Sequence, residues 1–245
     1  TDADCVLPKY WLDTFDECIQ TKNSNCIVAP VTYHGKNSFF NRFQTLDFLS
    51  LQGATIGGFG LSKPFMCNGA NFGYRKSLFL KVDGFEGNTN IASGDDIFLL
   101  EKLSKHDADK VHYLKSPSAI VTTHPTSSIS GLVQQRLRWA SKTSNYNSWF
   151  AKLVGLVVLL GNLVCLAFIP AVLMSYISIK IAIALFVIKF SIDLLLIFKT
   201  SRFFKQETLM LSYLFTSLLY PFFSVYIALL SVVKSYEWKG RTFRK

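Results

Sequence analysis

Three short stretches carry side chains whose types and spacing suit chemistry. The first is Asp2-Ala3-Asp4. Two carboxylates two residues apart at the end of a strand point the same way, and such a pair can hold a hard divalent cation that also grips a diphosphate. Acids in a surface turn are the plainer alternative. The second is Ser93-Gly94-Asp95-Asp96. Ser93 as the N-cap with Asp96 three residues on forms an acidic variant of a capping box, and acids stabilise helix N-termini. In the chemical reading, one of these carboxylates is a general base that takes a proton from an attacking hydroxyl. The third is Gln135-Arg136-Leu137-Arg138-Trp139. Gln135, Arg138 and Trp139 share one helix face, where a guanidinium can pair phosphate oxygens and an indole can stack on the apolar face of a sugar. A basic amphipathic helix lying on a membrane, anchored by Trp139, competes with that reading.

Elements must bring these stretches together. Pro8 is expected to open a helix with Trp11, Phe15 and Ile19 on one face. Residues 26–33 (CIVAPVTY) predict a buried strand, and residues 38–51 a helix. Gly53 to Gly60 is expected as a glycine-rich loop, with Gly57 and Gly58 as turn residues rather than phosphate binders. A helix from Lys76 should stop at Gly84, another should follow Ser-Gly-Asp-Asp, and a third should run from about Gly131 to Asn145.

After residue 150 the character changes. Segments 153–176, 181–198 and 208–233 are apolar and long enough, or nearly so, to cross a hydrocarbon layer of about 30 Å. Hydrophobic residues make up 50% of the 245, and the formal net charge is +10. Much of that charge flanks the apolar segments, at Lys199, Arg202, Lys205, Lys234, Lys239, Arg241, Arg244 and Lys245. This placement suits a membrane surface; no basic run or motif of nucleic-acid recognition stands in the first half. The five cysteines have no CxxC or zinc spacing, which suggests reduced thiols. Three crossings would put the basic tail 235–245 on the side opposite residue 150, yet positive segments prefer the cytosol. The expectation is a cytosolic tail, with one segment that does not cross; Pro170 and Pro221 mark the segments for kinks or re-entry. Lys189 and Asp193 lie one turn apart inside the second segment and can neutralise each other, or else line a path for lipid or polymer.

Order and spacing decide among the alternatives. DxD, an acidic pair about 90 residues on, QxxRW about 40 further and then apolar helices form one pattern. It resembles the membrane-bound members of glycosyltransferase family 2, which are related to cellulose, chitin and hyaluronan synthases and to lipid glycosyltransferases. Asn68-Gly69-Ala70-Asn71-Phe72-Gly73-Tyr74-Arg75-Lys76 is similar to the family's stretch before its catalytic acid.

The resemblance implies an α/β fold, a partial GT-A domain over 1–150 followed by transmembrane helices over 151–234, with the upstream nucleotide-binding part expected before Thr1. It implies that Asp2 and Asp4 hold Mg²⁺ or Mn²⁺ with the nucleotide diphosphate. His124 is a candidate third ligand, set against an ordinary loop histidine. Asp96 would be the base with Asp95 beside it. Gln135, Arg138, Trp139, Asn68 and Gly69 would line the donor and acceptor site. The implied partners are a nucleotide-sugar donor, a lipid or glycan acceptor and membrane lipids, at a cell (inner) membrane with the catalytic domain in the cytosol. A processive polysaccharide synthase and a catalytically degenerate membrane scaffold are the alternatives.

Overall fold

The computed structural model describes residues 1–87, 94–141, 147–238 and 241–243. Its first part is mixed α/β. Helix α1 (Trp11–Lys22) starts one turn after Pro8, whose carbonyl accepts the Trp11 N–H, so Pro8 precedes the helix rather than opening it. The expected strand over 26–33 divides into β1 (Cys26–Val28) and β2 (Val31–Tyr33), in different sheets. Pro30 is the physical reason, since it offers no N–H to continue a ladder.

Strand β1 pairs antiparallel with β3 (Phe72–Tyr74) and parallel with β4 (Val111–Tyr113), while β2 pairs parallel with β5 (Val121–Thr123). Side chains alternate across β1. Cys26 and Val28 pack with Leu78 of α3 (Lys76–Lys81), with Leu99, Leu100 and Leu103 of α4 (Asp95–His106), and with Val111. Ile27 and Ala29 pack instead with Phe15 and Cys18 of α1. Burial on both faces explains why 26–33 reads as a continuous apolar run.

The stretch Gly53–Gly60 is helix, not loop: α2 spans Phe39–Gly60, capped by Ser38 accepting from the Asn41 N–H at 3.2 Å. Glycine serves close packing there. A Cβ on Gly53 would lie 2.5 Å from Thr200 Oγ1, and one on Gly58 would lie 2.6 Å from the Phe65 ring. Helix α5 (Ile129–Ala140) begins at Ser128, which accepts from Gly131 N–H, two residues earlier than expected; residues 142–145 of the predicted helix lie outside the described part.

Three long apolar helices follow: α6 (Trp149–Leu173), α7 (Ile179–Phe203) and α8 (Tyr213–Val233), the last preceded by a tight turn over Glu207–Ser212. By length and composition all three suffice to cross a membrane. Lys189 and Asp193 form an ion pair at 2.5 Å. Lys189 Nζ also donates to Asn162 Oδ1 at 3.2 Å, and Asn162 Nδ2 to Ser224 Oγ at 3.2 Å, so polar groups tie α6, α7 and α8 together. The geometry fits the structural reading of the pair. A short hairpin follows α8, with β6 (Tyr236–Trp238) paired antiparallel with β7 (Arg241–Phe243).

The apolar helices are joined firmly to the α/β part. Leu46 of α2, Ile197 of α7 and Tyr213 of α8 share one buried cluster. Gln206, between α7 and α8, accepts from Thr32 Oγ1 at 3.0 Å and donates to the Tyr33 carbonyl at 3.2 Å.

Candidate active site

The acidic pair at the start of the chain sits on a turn, closed by Cys5 N–H donating to the Asp2 carbonyl at 3.2 Å. Val6 exchanges two backbone hydrogen bonds with Thr122 at 2.8 and 3.1 Å, which pins the turn to the edge of β5. Thr123 Oγ1 then donates to Asp4 Oδ2 at 3.3 Å. Ligand atoms of Asp2, Asp4 and Cys5 lie within 4.8 Å of one another, and both carboxylates are exposed. Opposed oxygens on an octahedral Mg²⁺ or Mn²⁺ stand about 4 Å apart, so the carboxylates suit a hard ion with open positions for phosphate oxygens; the soft Cys5 thiolate does not. His124 is exposed just past β5 and does not belong to this group of ligand atoms.

The second acidic pair opens α4. Gly94 holds the N-cap position at φ 95°, a left-handed conformation that favours glycine. The capping box expected from Ser93 is therefore replaced by a glycine start, and Ser93 itself lies outside the described residues. Asp96 Oδ2 accepts the Gly69 N–H at 2.8 Å, and Oδ1 accepts the Ile97 N–H at 2.9 Å.

Gly69 belongs to a tight turn (Gly69–Asn71) capped by Asn68 Oδ1, which accepts the Ala70 N–H at 3.0 Å. Asn71 anchors that turn. Fully buried, it donates to the carbonyls of Pro30 and Ala119, both at 2.8 Å, and accepts from Trp11 Nε1 at 3.0 Å. Asn68 thus holds the backbone that holds Asp96. A shallow open cavity of about 160 Å³ lies here, lined in part by Gly69, Asp95 and Asp96.

On α5, Arg136 turns inward. Its Nε donates to Asp47 Oδ2 of α2 at 2.6 Å, with both side chains buried. Burial disfavours the Arg136 charge, but the fields of Asp47 and Tyr33 outweigh it and hold the guanidinium above its ordinary pKa. Gln135 Oε1 accepts from Arg136 Nη1 and, at 3.5 Å, from the Tyr33 hydroxyl. The Arg136 guanidinium lies over the Trp139 ring, 4.3 Å from its centroid. Trp139 meets Phe48, and it and Cys5 of the first acidic turn each pack against the buried cluster of Val31, Tyr33, Phe48 and Ala70, the last in the turn whose Gly69 N–H binds Asp96. Arg138 is pulled below its usual pKa by burial, against which the carboxylates of Asp96 and Asp2 and the Tyr236 and Tyr33 side chains act.

The three stretches thus border one buried cluster: Trp139 and Cys5 pack against it, Ala70 beside Gly69 belongs to it, and Arg138 lies within the field of Asp96 and Asp2. Sequence reasoning passed over Asp47, Arg136 and Asn71, whose partners are far along the chain. A buried polar side chain mid-motif is the signal that finds them, and it is visible only once the fold is known.

The family model described as glycosyl transferase family group 2 matches residues 1–233. The comparison with curated proteins finds none that matches.

Proposed function

This chain belongs to glycosyl transferase family group 2 and is a glycosyltransferase, and we propose that it moves a sugar, with inversion, from a nucleotide-diphosphate donor to a hydroxyl of a lipid or glycan acceptor at a membrane. What supports the proposal is that Cys5 beside the Asp2–Asp4 pair, Ala70 beside the Gly69 whose N–H holds Asp96, and Trp139 share one apolar cluster, with Arg138 in the field of Asp96 and Asp2. Residues 1–150 form the catalytic part in this reading, 151–234 the membrane part and 235–245 a basic tail.

Members of the family commonly use a divalent metal; Asp2 and Asp4 would hold Mg²⁺ or Mn²⁺ here, and the ion would supply positive charge beside the departing diphosphate. Arg138 adds a second cation for phosphate oxygens, and Gln135 and Trp139 border the same space. Asp96 acts as base. The Gly69 N–H fixes one of its oxygens and so orients the carboxylate. The acceptor oxygen forms its bond to the anomeric carbon as its proton passes to Asp96, and the bond to the diphosphate breaks on the opposite side. One displacement inverts the centre. Asp95 keeps the local field negative and favours the acceptor's proton leaving.

Asp96→Asn, which retains size and loses basicity, should lower transfer by about 10²–10⁴-fold with little change in donor affinity. Radiolabelled donor in membranes of the full-length protein is the assay; near-native transfer by Asp96→Asn would remove Asp96 from the role.

The same packing bears on topology. Tyr213, at the start of α8, packs with Leu46 of α2, whereas Tyr236, just past its end, is buried near Arg138 of α5. The span containing α8 is also 28% buried, against 6% for α6 and 11% for α7. We therefore place both ends of α8 on the catalytic side, the cytosolic side in this reading, with α8 returning beneath the α/β part. Lys245→Cys should react with an impermeant maleimide only after the membrane is opened; extra labelling over wild type in intact cells would contradict this placement.

A further inference from the structure

Helix α4 has two attachments at once. Its first turn presents Asp96, and its middle holds the start of the first apolar helix. Glu101 Oε1 accepts the Ser148 N–H at 3.0 Å, and Oε2 accepts from both the backbone N–H and the Nδ2 of Asn147 at 3.2 Å. Ser148 is the N-cap of α6, and its hydroxyl accepts the Ala151 N–H at 3.2 Å. In a capping box the reciprocal bond, to the N–H of the cap residue itself, comes from a glutamate or glutamine three residues on. Ala151 stands at that place here and is buried. A carboxylate 47 positions back along the chain completes the box instead.

A cap alone needs no such reach. A local glutamate would complete the box and meet the favourable field of the helix N-terminus equally well. What a local residue cannot do is bind α6 to α4. Glu101 forms no ion pair among the described residues, so both of its oxygens are given to this junction. Phe150, the next residue of α6, meets Phe65 edge-on at 5.3 Å and adds an apolar contact.

Both sides of the link are firm. Leu99, Leu100 and Leu103 seat α4 against Cys26 and Val28 of β1, and Lys102 Nζ donates to the carbonyls of Val82, Gly84 and Glu86 at 3.3, 2.9 and 2.7 Å. Helix α6 is long and apolar enough to cross a membrane, opens with Trp149, 73% exposed, and carries an exposed Lys152 in its first turn. An indole and a lysine at the end of an apolar helix suit the boundary between headgroups and hydrocarbon. Along α4, about 7.5 Å of helix rise separates Asp96 from Glu101. The Asp96 carboxylate is thereby held close to the level at which α6 would enter a membrane.

We propose that Glu101 is a positioning residue: it ties the helix that carries the base to the entry of α6, and so sets the height at which the base meets a hydroxyl carried by a membrane lipid. The proposal rests on Asp96 being the base. A lipid-borne hydroxyl is fixed in height and needs the tie. Water or a free glycan approaches the base at any height and does not.

Membranes holding the full-length protein are given radiolabelled UDP-glucose, UDP-N-acetylglucosamine or GDP-mannose with Mn²⁺. Each donor is paired in turn with glucosyl diacylglycerol or undecaprenyl phosphate, with cellotetraose or chitotetraose, or with no acceptor but water. Glu101→Ala should lower kcat toward the lipid-borne acceptor about tenfold or more, with donor KM and donor hydrolysis within about twofold of wild type, since small misplacements of a reacting group are costly in rate. Glu101→Gln, which keeps the side-chain size and one accepting oxygen, controls for folding and should retain more lipid transfer than Glu101→Ala. Equal losses of lipid transfer and hydrolysis, unchanged lipid transfer in Glu101→Ala, or wild-type label entering free glycans alone each overturn the positioning assignment by itself. Wild-type membranes inert with every pair, or Asp96→Asn as active as wild type, overturn the reading of the base and the positioning assignment with it.

Discussion

Asp47→Asn is the most exacting perturbation this fold offers. The substitution keeps the shape of a side chain only 5% exposed and removes the charge facing Arg136, itself 6% exposed and 2.6 Å away. Breaking one half of a buried pair costs about 3–5 kcal/mol, because the remaining charge is left without compensation in a poorly solvating interior. Arg136 Nη2 has no hydrogen-bond partner among the described residues, so without the Asp47 charge the guanidinium is left to neutral partners such as Gln135 Oε1 and the Trp139 face. Replacing both residues, as Asp47→Leu with Arg136→Met, removes both desolvation penalties and should return stability to within about 1 kcal/mol of wild type.

Activity should follow a different course. Arg136 lies over Trp139 and donates to Gln135, so the double variant recovers stability while leaving both motif side chains without their support. Unfolding in mixed micelles by SDS titration gives the stability, and labelled-donor transfer gives the activity. A loss below about 1 kcal/mol for Asp47→Asn, or full transfer in the double variant, would refute the claim that this pair anchors α5 to α2.

Two other perturbations separate packing from composition and from charge. Gly53→Ala should destabilise by about 1–3 kcal/mol, since its methyl must displace Thr200 and Leu196 of α7. Gly57→Ala, on the same helix with nothing within 4 Å, should stabilise by up to about 1 kcal/mol, and thermal unfolding in detergent compares the two. His112 is held below its ordinary pKa of 6.5 by burial first and then by Lys22, while its Nδ1 faces Ser24 Oγ at 2.8 Å. The unfolded chain therefore takes up the proton first, and stability falls as pH drops below 6.5 toward the folded value. In His112→Gln that slope should vanish in unfolding measurements from pH 8 to 5; an unchanged slope assigns it to other groups.

The legible features are those whose cause is local. The switch from a mixed pattern to long apolar runs announces α6, α7 and α8, because a span of lipid demands nothing more than length and apolarity. The one-turn spacing of Lys189 and Asp193 announces their ion pair, since helix geometry puts them side by side. Gly53 to Gly60 misled because glycine reads as a breaker when its neighbours in space are unknown. Here α7 and Phe65 press so close that only hydrogen fits, and the helix continues. Pro30 carried the opposite warning inside an apolar run: the strand does break there, and Asn71 takes the proline's carbonyl.

The amino-acid order by itself determined that this is a family 2 glycosyltransferase with apolar helices, because motif spacing and hydrophobic runs are properties of neighbours along the chain. Tertiary structure alone decided that Arg136 meets Asp47, 89 positions away, that Asn71 holds the turn under Asp96, and that Tyr236 comes back to α5. Those contacts join residues far apart in order. They arise from burying charge and amide groups with a partner, and burial is a property of the folded whole.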